Sequence, residues 1–353
     1  MTSRPTLLLL VVFTAAALIS CLEKGNSQSE LTLSTNDADI KKKVTLDHRI
    51  WNIFQDSRGY YWFGSNGEGV YVYDGKQLKQ FTTSEGLADN QIRGIQEDDQ
   101  GNIYIETPKG ISQYDGLSFT TLNLKSSSSK WALTPNDLWF NCNGNARHVC
   151  RYDGEVLHEL QLPKQDLENR LPMVAEPYPY TVFGIDKDKS GNIWFGTVCA
   201  GAFRYDGTSF LWIGEEELST LPDGRVPGVR SMIQDSEGYF WLSNFKSKYK
   251  ITPTLPQGYE KVKAAELSEE YKSKLPYFNS GIVDNTGDLW MVTYGEGLWK
   301  YDGSKLHNYE LSNGKEKLLL MCILQDSDGT IWLGTNNDGV YKQNGDNFVK
   351  FEL

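Results

Sequence analysis

Three sets of side chains in this 353-residue chain could carry chemistry. The carboxylates of Glu68, Glu296 and Asp338 could act as general acids or bases, and His48, His148, His158 and His307 could exchange protons near neutral pH. Five cysteines could bond to each other, to a metal or to lipid. Around the carboxylates, at recurring positions, stand Asn66, Thr107, Lys109, Asn143, Arg147, Thr197, Asn244, Lys246, Tyr294 and Asn336. Amides, hydroxyls, a few charges and an aromatic suit a polyhydroxylated ligand, which offers many hydrogen bonds and an apolar ring face. Catalysis has less support. No two histidines are placed by sequence to act together, and there is no Gly-x-Ser-x-Gly, phosphate loop or dinucleotide fingerprint. A zinc site needs closely spaced Cys and His, and Cys142, His148 and Cys150 form the one cluster, so neither metal nor cofactor is expected. Cys142 and Cys150 are better read as a cross-strand disulfide, with Cys199 the competing partner for Cys142, and Cys322, in LLLMCIL, as a core residue.

The elements that would position these groups repeat. An aromatic landmark recurs at Trp62, Tyr104, Trp139, Trp194, Trp241, Trp290 and Trp332, at intervals of 35 to 55 residues. Most copies precede it with an Asp-x-x-Gly turn, as in QDSRGYYWFGS and QDSDGTIWLGT; TPNDLWFNC, the third, has lost it. Tyr-Asp-Gly follows at Tyr73, Tyr114, Tyr152, Tyr205 and Tyr301. In the second unit NQIRGIQED reads as strand A, GNIYIET as B, GISQYDG as C and LSFTTLNL as D, joined by turns in which Asp caps the backbone and Gly accepts positive φ. Only 264–274 looks helical. A four-stranded antiparallel unit cannot bury both faces alone, and radial stacking solves this for every copy. The expectation is an all-β, seven-bladed β-propeller of four-stranded antiparallel blades over 50–353, with each landmark aromatic packed between blades and one extra edge strand near 31–33.

Ser190 to Gly207 (SGNIWFGTVCAGAFRYDG) and Gly329 to Tyr341 resemble the two-component regulator propeller repeat. That resemblance implies the same fold and a kinship with periplasmic sensor regions of histidine kinases, often concerned with glycans. This chain is expected to stop at the propeller, without transmembrane helix, kinase or DNA-binding domain. In such a disc the A–B and C–D turns lie at one end, and their sameness marks them as scaffold. The B–C loops, which hold the candidate ligand residues above, lie at the other end. So do the long D–A connections 157–180, 211–226 and 263–279, which would form a lid or wall. Their EPYPY and LPYF text either pins them to the disc or offers a stacking platform.

Residues 1–20 read as a targeting signal: Arg4 precedes the apolar run Thr6 to Ile19, too short to span a bilayer. Leu18-Ile19-Ser20-Cys21 resembles the bacterial lipobox, which implies cleavage before Cys21, acylation of its thiol, and a tether over 21–49. Leu22 follows without an adjacent Asp, which by the same resemblance favours the outer membrane. The membrane is then met through lipid only, and the body sits outside the cytoplasm. Hydrophobic residues at 39% and 33 Gly exclude disordered and collagen-like chains. A net charge of −11 argues against nucleic acid as a partner. The reading that results is an extracytoplasmic, lipid-anchored sensor-type propeller binding a carbohydrate or similar polar ligand. The alternatives are an interaction scaffold for an envelope protein, or a glycan-acting lyase or hydrolase using Glu68, Glu296 or Asp338.

Overall fold

The repeated turns fold for a local reason. In a computed structural model, Asp56 Oδ1 accepts the backbone N–H of Arg58 (3.0 Å) and Tyr60 (2.9 Å), while Oδ2 accepts the indole N–H of Trp62 at 3.0 Å. One carboxylate thus caps the turn and anchors the aromatic six residues on. Asp188, Asp235, Asp284 and Asp326 do the same for Trp194, Trp241, Trp290 and Trp332, and Asp98 takes the Tyr104 hydroxyl. Burial alone would raise the carboxyls of Asp188, Asp284 and Asp326, but these hydrogen bonds outweigh it and hold them below their usual values. At the Tyr-Asp-Gly turns the Asp accepts the next two available N–H groups, as Asp206 does from Thr208 and Ser209, and the Tyr hydroxyl donates to the Gly carbonyl.

The structure describes residues 44–125, 130–142, 147–167, 178–218, 220–221, 224–264 and 277–353, all in the unit Asp39–Leu353. The targeting signal, Cys21, the edge strand near 31–33 and nearly all of the expected helix lie outside them. The strands form seven four-stranded sheets. The fourth blade shows the pattern: A (Val182–Lys187), B (Ile193–Thr197), C (Ala202–Tyr205) and D (Phe210–Ile213), antiparallel throughout.

Seven apolar clusters lie between the blades, one at each junction, and each landmark aromatic is in one of them: Trp62 between blades 1 and 2, Trp194 between 4 and 5, Trp332 between 7 and 1. Burying one such ring contributes about 3 kcal/mol or more. The ring closes without any strand shared between first and last blades. Tyr61 donates to Asp326 (2.7 Å) and Ser327 N to Gln55 Oε1 (2.8 Å), and Ile50 and Phe63 pack with Trp332 and Phe351. The segment before Ile50 laces this seam: the His48 carbonyl accepts Gly339 N, the Arg49 carbonyl accepts Asn66 N, and Val44 and Leu46 join the apolar cluster.

The third blade departs from the expected four strands in chain order. Its strands B (Leu138–Asn141), C (His148–Tyr152) and D (Leu157–Gln161) are present, but no strand A occurs among the described residues. The fourth strand, Leu124–Lys125, instead adds in parallel to the outer edge of D. The text from Lys125 on, KSSSSK, carries no alternating apolar residues. Cys142 and Cys150 are joined by a disulfide across B and C of this blade, their Cα atoms 5.4 Å apart.

Candidate functional site

In six blades the residue eleven places before the landmark aromatic lies within two residues of the start of strand A, the innermost strand: Trp51, Arg93, Phe183, Arg230, Asn279 and Met321 in blades 1, 2, 4, 5, 6 and 7. All six line one cavity of about 790 Å³. In blades 1, 4 and 7 this residue is the extra one of a β-bulge, since pairing steps from Ile50 to Asn52, Val182 to Gly184 and Leu320 to Cys322. A bulge re-aims a side chain out of the ladder. The residue after each bulge pairs with a glycine on strand B, Gly64, Gly196 or Gly334, where a Cβ would collide; at Gly196 it would lie 2.2 Å from the Val229 carbonyl oxygen.

Both kinds of connection predicted at this end complete the wall. The B–C loop of blade 6 contributes Tyr294 and Glu296, and that of blade 7 Asn336; the D–A insertions contribute Leu221, Arg225, Pro227 and Tyr277. Trp51 donates its indole N–H to Asn336 Oδ1 (2.7 Å), Asn336 Nδ2 meets the Tyr294 hydroxyl (3.2 Å), and the Tyr277 hydroxyl donates to the Pro227 carbonyl (3.0 Å). Burial pushes the Tyr277 hydroxyl up to about 12, so it stays protonated. Behind Arg93 lies the fully buried Glu106, which burial pushes up to about 7 against the pull of the Asn141 N–H and the Arg93 charge.

Of the candidates read from sequence, Tyr294, Glu296 and Asn336 meet in this cavity. The rest do not join them. Thr107 and Thr197 turn inward and donate to the Gly110 and Gly201 carbonyls, and Asn244 caps its own loop through Lys246 N and Ser247 N. Asn66 accepts from Gln91, and Glu68 and Lys246 are exposed. Lys109 pairs with Asp89 at 2.8 Å, and Arg147 donates to the Leu162 carbonyl beside the Tyr180 ring. Asp338 accepts from Lys350 and Tyr341, which outweighs burial and keeps its carboxyl below the usual value. Asn143 lies outside the described residues. Glu296 is therefore the one of the three proposed acid–base carboxylates that reaches the cavity, and no histidine lines it. Among the described residues no group of three or more His, Cys, Asp or Glu could hold a metal. The insertion text divides: Tyr180 is buried and its hydroxyl bonds to the Gln165 backbone, a pin, whereas Tyr277 faces the cavity. Loop reasoning missed the strand A residues. The signal that finds them is their fixed offset from the landmark aromatic.

The profile of the two component regulator propeller family matches residues 46–67 and 319–337. No curated protein sequence matches the chain. The extracellular domain of BT4673 from B. thetaiotaomicron superposes with a TM-score of 0.60 at 21% identity over 86% of this chain, which spans 40% of that domain's length. PorZ, a bacterial surface component of the type-IX secretion system of Porphyromonas gingivalis, gives 0.57 at 17% identity, covering 86% of this chain and 47% of that one. A streptogramin B lyase gives 0.54 at 14% identity, covering 84% and 94%. At these identities the likeness is one of fold. Among the described residues no helix is long and apolar enough to cross a membrane. Residues 46–67 and 319–337 thus match the two component regulator propeller model, within a closed seven-bladed fold that the chain shares with these structures.

Proposed function

We propose that this is an extracytoplasmic binding propeller, anchored by lipid on Cys21, that takes a carbohydrate or similarly polyhydroxylated ligand into the cavity at its loop-rich end. The observation that carries the reading is the composition of that single concavity. Aromatics (Trp51, Tyr277, Tyr294), amides (Asn279, Asn336) and cations line it together, from the starts of strands A and from the loops beside them. Sugar rings stack on aromatics and satisfy amides through their hydroxyls. A volume of about 790 Å³ is of the order that holds a short oligosaccharide. The likeness to an extracellular domain and to a surface component agrees with a site outside the cytoplasm.

The test is a thermal-shift and calorimetric screen of oligosaccharides against the full chain. A ligand that binds the folded state raises its melting temperature. Trp51→Ala is expected to weaken that binding about tenfold or more by removing a stacking face. Failure of every oligosaccharide, with an envelope protein recovered by cross-linking to Tyr294, would replace this reading with a scaffold role. Replacement of Cys21 by Ser should abolish acylation seen by mass spectrometry; unchanged mass would end the anchor proposal.

A further inference from the structure

The charge at the cavity is opposite in sign to that of the whole chain. The chain is acidic overall, at −11, yet the cavity is lined by Arg93, Arg225 and Arg230 against the carboxylate of Glu296. Two of these arginines hold the same position in their blades, and each follows, around the ring, an aromatic at that position. Trp51 and Arg93 open blades 1 and 2; Phe183 and Arg230 open blades 4 and 5. The two pairs stand three blades apart in a ring of seven, nearly across the cavity from one another.

The guanidiniums of Arg93 and Arg230 form no ion pair among the described residues. Arg230 lies over the Phe183 ring at 4.2 Å and donates Nε to the Pro227 carbonyl at 3.2 Å, which fixes its plane and leaves its terminal amino groups uncommitted to any carboxylate among the described residues. Arg93 likewise makes no ion pair among the described residues and is exposed. Glu106, whose carboxylate feels the Arg93 charge, is buried, and burial pushes its carboxyl up to about 7. A planar fork of donors held on an aromatic face matches the two oxygens of a carboxylate or sulfate, where a neutral hydroxyl would use one donor.

We propose that the ligand of this cavity is an anionic oligosaccharide, bearing carboxylate or sulfate groups on at least two of its sugar units, with Arg93 and Arg230 each taking one anion. This rests on the carbohydrate reading above and specifies the substrate class of the same site. An acidic surface would repel such a chain elsewhere, so the two guanidiniums also steer it to the mouth.

The test is calorimetric titration of the full chain with trigalacturonate, a chondroitin sulfate tetrasaccharide and neutral cellotriose, at low and high salt. One of the two acidic probes should bind at least about tenfold more tightly than cellotriose, and more weakly as salt screens the pairs. Which one binds separates carboxylate from sulfate. Arg93→Gln and Arg230→Gln should each cost about tenfold for the acidic probe with unchanged melting temperature, and Arg230→Lys should recover part of the loss by restoring charge without the fork. Cellotriose binding as well as the acidic probes, or both Gln variants binding the acidic probe unchanged, overturns the anionic assignment while the carbohydrate reading stands. Binding of none of the three overturns both.

Discussion

In the fourth blade Asp188 gathers the N–H groups of Ser190 and Asn192, the Trp194 indole and Arg204 around one buried carboxylate. In the third blade the residue six before the landmark is Leu133, and the indole N–H of Trp139 is buried without a hydrogen-bond partner. The carboxylate has moved: Asp137 takes Thr134 N (2.6 Å) and grips Arg151 with both oxygens (2.7 and 3.0 Å), as Asp188 holds Arg204, but it no longer serves the indole. The inner edge differs too. In the fourth blade Trp194 and Gly196 pair with Asp186 and Gly184 of strand A. In the third, the Trp139 carbonyl accepts from Gln96 (2.8 Å) and Asn141 N donates to Glu106, both side chains of the second blade. A neighbour's side chains thus stand at the inner edge of strand B, where no strand A occurs among the described residues, and Trp131 is stacked on Trp139 at 5.7 Å. The lesson is that a degenerate copy keeps its place in the ring when side chains of a neighbouring blade take up backbone groups of its inner edge.

Three measurements bear on that contrast. The largest effect is expected from Asp188→Ala, which strands the Trp194 indole, two backbone N–H groups and Arg204; denaturant unfolding should show a loss of about 3–5 kcal/mol. A loss under about 1 kcal/mol would mean the carboxylate hub is not what holds a regular blade.

The second concerns the substitute for strand A. The Glu106 carboxyl is raised in the folded state from 4.5 to about 7, so the native protein retains a proton that the unfolded chain releases. Stability from this group is full below pH 4.5 and is lost as pH rises through 7. Glu106→Gln keeps an acceptor for Asn141 N without the charge, and should be more stable than the native protein above pH 7 by roughly 2–3 kcal/mol, with the gap closing near pH 4.5. A pH-independent difference would mean that Glu106 is no more buried in solution than an ordinary surface acid.

The smallest effect separates the two indoles. Trp194→Phe and Trp139→Phe lose similar ring area, but only the former breaks a hydrogen bond to a buried carboxylate. Trp194→Phe should therefore cost about 1–2 kcal/mol more in parallel unfolding curves. Equal costs would show that the Trp139 N–H finds a partner in solution.

How much of this was readable in advance follows the range of the interactions. The Asp-x-x-Gly and Tyr-Asp-Gly turns were legible as scaffold because their bonds run from a residue to its neighbours two to six places on, as Asp56 does to Arg58, Tyr60 and Trp62. The missing turn of TPNDLWFNC was visible for the same reason, but not what replaced it, since Gln96 and Glu106 lie some 40 residues upstream in the sequence. For the cavity, the end of the disc that bears it was legible, and the strand layer that helps to line it was not. Polar loop residues such as Thr197 and Asn244 satisfy their own turns, while Trp51, Arg93 and Arg230 sit in stretches that read simply as strand.

The sequence alone determined the unit, its seven copies and the chemistry of its turns, because each rests on contacts within a few residues and is written out again in most copies. Only the closed ring decided which side chains face one another. Trp51 and Asn336 are 285 residues apart yet share a hydrogen bond, and Arg93 and Arg230 line one cavity because radial stacking brings equivalent positions of distant copies to a common axis. That superposition depends on how the blades close rather than on any order along the chain.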